Sequence, residues 1–237
     1  MRTDPHLDPP VDWRLDLTAV TQRLLGSTIA LTTRDWQVLT HLNGWTRAHI
    51  AAHLARHAEA LTDMALEIAR THEPIAWRSA QSDADLNAQA GGDALALQEA
   101  LDESSAALMR AFELMDEAAW ATTVRSSQGP LPASALVLDR LNEVALHHVD
   151  LLLGYDFTDI EPALVHRLLK WNLFRETPRF SEVELTVVTD DGLTAVVGHG
   201  TPVTVRGNEP TLLGWLTGRK DPSAVLGGEQ INLGGPV

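Results

Sequence analysis

The sequence predicts an α+β fold: a helical N-terminal half, then a smaller mixed half. Two observations carry this. From Val11 to Gly154, apolar residues recur at three- and four-residue intervals over four long stretches. Beyond Tyr155-Asp156-Phe157 the pattern shortens to alternating runs separated by turn residues, as in strands. The expected boundary lies near residue 158, dividing the chain into 1–157 and 158–237.

The first helix is expected from Val11 to about Ser27, where Leu15, Leu17, Val20, Leu24 and Leu25 fall at helical spacing. The second spans Thr46 to Arg70. Thr46 is a capping residue, and Ile50, Leu54, Leu61, Met64, Ala65 and Ile68 form one apolar stripe. Residues 71–92 read as a long connection. A third helix follows from Asp93 to Glu117 and a fourth from Pro132 to Leu153, ended by Gly154. Four long amphipathic helices with one long crossover make a four-helix bundle. In the second half, Ala163 to Leu173 reads as a helix. The runs EVELTVVT and LTAVVG, split by Asp190-Asp191-Gly192, read as a hairpin. TPVTVRG adds a strand, EPTLLGWLTG a short helix and EQINL a last strand.

Composition narrows the function. With 18 Lys and Arg against 32 Asp and Glu, the formal net charge is −14, which argues against nucleic acid and anionic membranes as partners. There is no cysteine, so a disulfide framework, a thiolate metal cage and a cysteine nucleophile are all excluded. The opening MRTDPHLDPPVDW has no apolar signal core, and no run reaches membrane-spanning length. The expectation is a cytoplasmic monomer that acts on a small molecule.

The stretch NEVALHHVD, Asn142 to Asp150, places Glu143, His147 and His148 among Leu141, Val144, Leu146 and Val149. Polar groups buried in such company are costly unless paired or bound to something. Glu143 and His147 are four residues apart and share a helix face. On the second helix His49, His53 and His57 are also spaced by four and share a face. Facing helices of a bundle commonly supply such pairs to a metal, and two imidazoles with one carboxylate leave coordination positions open. The competing reading is a set of hydrogen-bonded or solvated histidines, and spacing alone does not choose among His49, His53 and His57. His41, His72 and His166 carry no assigned role.

The segments NGWTRAHIAAHLARHAEAL and DRLNEVALHHVDLL resemble the two metal-binding segments of the mycothiol-dependent maleylpyruvate isomerase family, within the DinB-like bundle superfamily. The second matches as Arg140, Glu143, His147, Asp150 and Leu151, and GWLTGRKDPSAV resembles the family's C-terminal Gly-Arg loop. The resemblance implies a divalent ion, usually zinc, held by His53, Glu143 and His147. It places His49 near the helix start as a non-ligand, His57 facing the site one turn on, and His148 elsewhere. Arg140 and Asp150 would orient the ligands from behind, although Asp150 also reads as a plain helix-end carboxylate. Arg219 would hold a substrate carboxylate as a catalytic residue, and the C-terminal half resembles sterol-carrier-like modules. The cosubstrate would be mycothiol. Its metal-activated thiolate adds to the cis double bond of maleylpyruvate, rotation follows, and elimination leaves fumarylpyruvate. A chain without cysteine needs such an outside thiol.

One segment departs from the family pattern. Where the family carries an arginine in the loop after the second helix, this chain reads Ser82-Asp83-Ala84-Asp85, with Arg78 four residues earlier. Two other readings therefore stand beside the isomerase of gentisate breakdown. One is a mycothiol-dependent S-transferase acting on another electrophile. The other is a non-enzymatic module that binds an apolar ligand and uses its histidines structurally.

Overall fold

The computed structural model describes residues 10–78 and 83–233, and these form a mixed α+β protein of two compact units, one ending at Leu153 and the other starting at Gly154. In the first unit, helix α1 spans Pro10–Thr28, the single-turn α2 Thr33–Trp36 and α3 Arg47–Thr71. Strand β1 (Ile75–Ala76) is followed by α4 (Asp83–Ala90), α5 (Ala94–Glu113) and α6 (Glu117–Ala121). A hairpin of β2 (Thr123–Ser126) and β3 (Gly129–Pro132) leads into α7, Ala135–Asp150. The four long helices close a ring: α1 packs on α7 and α5, and α3 packs on the same two. Their core is Leu17, Leu24, Ile50, Leu54, Leu61, Met64, Leu101, Leu108, Leu141 and Val144, all nearly or fully buried.

Several boundaries differ from the sequence expectation, each for a local reason. The connection 71–92 contains β1 and α4 rather than open loop. The third helix stops at Glu113, because Asp116 accepts from the Ala119 amide and caps a separate short helix, α6. The fourth helix starts at Ala135, because Gly129–Pro132 pairs antiparallel with β2. Pro130 and Pro132 are tolerated there because β3 lies at the sheet edge, in the order β1-β2-β3.

Helix α7 sets up the chemistry. Every residue from Ala135 to Asp150 is buried except the half-buried Glu143. A helix enclosed on all sides should be apolar throughout. This one carries Asp139, Arg140, Asn142, Glu143, His147, His148 and Asp150. An unpaired buried polar group costs about 1–3 kcal/mol, so these side chains must bond inside the bundle.

In the second unit, α8 (Pro162–Glu176) packs on α9 (Glu209–Leu216), with Trp171 and Trp215 buried. A three-stranded sheet holds β4 (Val183–Thr189) in its centre, antiparallel to β5 (Thr194–Gly198) and parallel to β6 (Thr201–Gly207). The β4–β5 turn is the expected Asp190-Asp191-Gly192, with Gly192 at φ 91°. Only His199 and Gly200 carry the chain around the end of β4 from one of its edges to the other. That crossing is so close that a Cβ on Gly198 would lie 2.4 Å from the carbonyl oxygens of Phe180 and Val183. The expected strand EQINL is instead a short 3-10 turn, Gly228–Gln230. Among the described residues no helix is long and apolar enough to cross a membrane.

Candidate metal centre

The start of α3 is built to aim side chains. Gly44 turns the chain at φ 79°, and Thr46 then caps the helix. His49 closes that cap, its Nδ1 meeting the Thr46 amide at 3.2 Å and the Thr46 hydroxyl at 2.8 Å. Its Nε2 lies 3.0 Å from Asn87 Oδ1 on α4. Both ring nitrogens of His49 are thus engaged at the helix end. One turn on, His53 points at α7, with Nε2 2.9 Å from Glu143 Oε2. His147 Nε2 lies 3.3 Å from the same oxygen, and its Nδ1 donates to Asp150 Oδ2 at 2.8 Å.

The donor atoms of His53, Glu143 and His147 all lie within 4.8 Å of one another. The His53 and His147 rings meet edge to face at 4.7 Å between centroids. Trp45 covers them, 5.4 Å from the His53 ring and 6.3 Å from that of His147. Asp150 is fully buried. It is therefore the partner of a histidine on its own helix, and not a solvated helix-end carboxylate. His148 faces away and meets Ser27 Oγ on α1 at 2.9 Å.

The electrostatics suit a cation. Burial pulls the His53 ring below its ordinary value, which favours the neutral imidazole that a metal ligand requires. Burial would push the Glu143 carboxyl up, but hydrogen bonds from His147 and His53 outweigh it and hold the group well below the usual carboxylate range. For His147 burial acts downward and is outweighed by the bonds to Asp150 and Glu143, so its value is raised. The two carboxylates thus favour the protonated ring more than water does, with Nδ1 facing Asp150 and Nε2 facing Glu143. A divalent ion would replace the proton on Nε2, and Asp150 would keep the ring in the ligating tautomer. Two imidazoles and a carboxylate in a half-enclosed cluster fit such an ion.

Behind this cluster, Arg140 is wholly buried, and burial lowers its guanidinium to about 10. It donates to the Leu54 carbonyl at 2.7 Å and to Ser105 Oγ at 3.3 Å, tying α7 to α3 and α5. His57 Nε2 meets Asp139 Oδ2 at 3.0 Å. Sequence reading gave no role to Trp45, Asp139, Ser105 or Asn87. Asp139 was recoverable, since it stands one turn before Glu143 on the same face of an apolar helix. Ser105 and Asn87 lie on other helices, where nothing local marks them.

Ser82 lies outside the described residues. The segment after it is α4, which docks on α3 through Asn87–His49 and an Asp85–Arg56 ion pair at 3.5 Å. Arg78 is paired with Glu67. Glu67 is 14 residues beyond His53 on α3, roughly 21 Å along the axis. Arg78 in this arrangement therefore does not stand in for a loop arginine at the cluster. Arg219 follows α9 in the second unit, where its amide bonds the Gly214 carbonyl at 2.7 Å and its guanidinium the Thr217 carbonyl at 2.9 Å. Next to it, Lys220 pairs with Asp156 at 3.0 Å.

The architecture is shared with solved structures. The mycothiol-dependent maleylpyruvate isomerase superposes with a TM-score of 0.80 at 23% identity, covering 92% of each chain. A histidine-to-alanine mutant of that enzyme superposes with a TM-score of 0.79 at 22% identity, again covering 92% of each chain. At this identity the likeness speaks for the fold. No protein of curated function matches the sequence. Residues 17–152, which hold α3, α7 and the whole donor cluster, match the mycothiol maleylpyruvate isomerase N-terminal domain, and the chain belongs to that family.

Proposed function

We propose that this protein is a metal-dependent, mycothiol-using enzyme that isomerises maleylpyruvate to fumarylpyruvate. The observation that carries the proposal is the convergence of His53, Glu143 and His147 in a chain that has no thiol of its own. In this reading the three residues hold one divalent ion, zinc by the chemistry of the donor set. A bound divalent ion lowers the pKa of a coordinated thiol, so that it reacts as thiolate near neutral pH. Asp150 fixes the His147 ring, and Trp45 shields one side of the cluster from water. The mycothiol sulfur adds to one carbon of the cis double bond, and the electron pair moves into the conjugated carbonyl. The former double bond is now single and rotates. Collapse of the enolate expels the thiolate and leaves the trans isomer. Arg219 is assigned to a substrate carboxylate, which a guanidinium grips with two parallel hydrogen bonds.

A second reading on the same scaffold is mycothiol transfer to a different electrophile. It is favoured by the absence of an arginine at Ser82–Asp85 and by the engagement of Arg78 with Glu67. One experiment separates the two. Purified protein is incubated with maleylpyruvate with and without mycothiol, and with and without a chelator, while substrate absorbance and thioether adducts are followed. Isomerisation that needs both thiol and metal supports the first reading, and accumulating adduct supports the second. Full turnover without thiol overturns both. A protein that purifies without stoichiometric metal points instead to a ligand-binding module.

A further inference from the structure

Two overlapping donor sets sit side by side in the bundle. The donor atoms of His57, Asp139 and Glu143 lie as close together as those of His53, Glu143 and His147, within 4.8 Å, and Glu143 belongs to both sets. Distance alone does not say why an ion would choose one set. The hydrogen-bond directions do.

Arg140 Nη1, besides its bond to the Leu54 carbonyl, lies 3.4 Å from His57 Nδ1. A guanidinium has only donors, so Nδ1 of His57 must accept. On the other side of the ring, Nε2 faces the Asp139 carboxylate at 3.0 Å, which accepts, so Nε2 carries the proton. The two contacts thereby fix the Nε2–H tautomer of His57, with both nitrogens spent. Ligation through Nε2 would move the proton to Nδ1, N–H against N–H of a buried arginine. The contrast with His147 is direct: there a carboxylate, Asp150, receives the Nδ1 proton and leaves Nε2 for an ion.

We propose that Arg140, His57 and Asp139 form a positioning relay that withholds two nearby ligands, His57 and Asp139, from the ion. His53, Glu143 and His147 then hold it alone, and a coordination position stays open for the incoming thiol. The inference rests on the metal reading of those three residues. A fourth or fifth protein ligand would convert an open site into a closed one, which is the difference between a catalytic and a structural centre. Arg140 is suited to the task because it is wholly buried and anchored on two other helices, so its direction is not negotiable.

The test uses the full chain loaded with Co2+, whose visible spectrum reports ligand number and type, and mycothiol as the added thiol. Glutamine can copy the locked tautomer, its oxygen accepting from Arg140 and its amide donating to Asp139. His57→Gln should therefore keep one Co2+ per chain and the wild-type spectrum, whereas His53→Gln should lose the ion. His57→Leu removes the donor to Asp139 and lets that carboxylate reach the ion. Its Co2+ spectrum should change and its mycothiol affinity should fall about 10–100-fold, with the fold checked by circular dichroism. Nitrogen NMR of the wild-type protein should find His57 Nδ1 unprotonated. The relay is overturned if His57→Gln loses Co2+ as His53→Gln does. It is equally overturned if His57→Leu matches wild type in spectrum and thiol affinity, or if Nδ1 proves protonated. A wild type that takes up no stoichiometric Co2+ overturns the metal reading itself, and the relay with it.

Discussion

Asp150 offers the sharpest single perturbation. Its carboxylate is fully buried and accepts the His147 Nδ1 proton at 2.8 Å, a charge-assisted bond in a water-poor interior. Such bonds contribute about 1.5–3 kcal/mol, and loss of the partner behind a metal-bound imidazole typically weakens the metal 10–100-fold. Asp150→Asn keeps an oxygen that can accept from Nδ1 but removes the negative charge. A loss near the lower bound is expected, about 1.4 kcal/mol or tenfold in zinc affinity. Asp150→Ala leaves the ring free to turn and should approach a hundredfold. Competition with a chromophoric chelator measures both. The metal-free protein adds a second, signed test. The His147 value is raised in the folded state, so its stabilising contribution is full below the unfolded value and fades as pH rises through the folded one. Asp150→Asn should therefore destabilise the metal-free protein more near pH 5.5 than near pH 8.5, by roughly 2–4 °C in Tm for each kcal/mol lost. Equal zinc affinity in all three proteins, or a stability difference that grows with pH, would refute the assignment.

Two further outcomes are expected. Arg219→Lys should keep bound metal and helicity but lose about 2–4 kcal/mol of transition-state stabilisation in kcat/KM, if a lysine cannot replace the two-pronged grip; wild-type kinetics would remove Arg219 from the substrate. Gly198→Ala places a methyl group against two backbone oxygens at φ 77°, where neither oxygen can retreat without disturbing β4. It should lower stability by more than about 1 kcal/mol, read by denaturant titration, while leaving metal uptake untouched.

The sequence by itself determined the four long helices, the hairpin at Asp190-Asp191-Gly192 and the α+β class, because each rests on local periodicity or turn chemistry that neighbouring residues define. It also brought Glu143 and His147 to one face, since a spacing of four is a property of the helix alone. What it left open was the choice among His49, His53 and His57, which are equivalent by spacing. Tertiary structure separates them through partners far away in the chain: Asn87 occupies His49, and Arg140 with Asp139 occupies His57, while His53 meets Glu143. The tautomer of an imidazole depends on what faces each nitrogen, and no local pattern encodes that. The same holds for β6, which lies beside β4 and not β5: His199 and Gly200 pass around the strand end, where Gly198 and Gly200 permit the close backbone approach. Burial of α7 on every side was likewise a tertiary outcome: it turned Asp139, Arg140 and Asp150 from ordinary charged residues into groups that must bond internally, and so into the frame of the site.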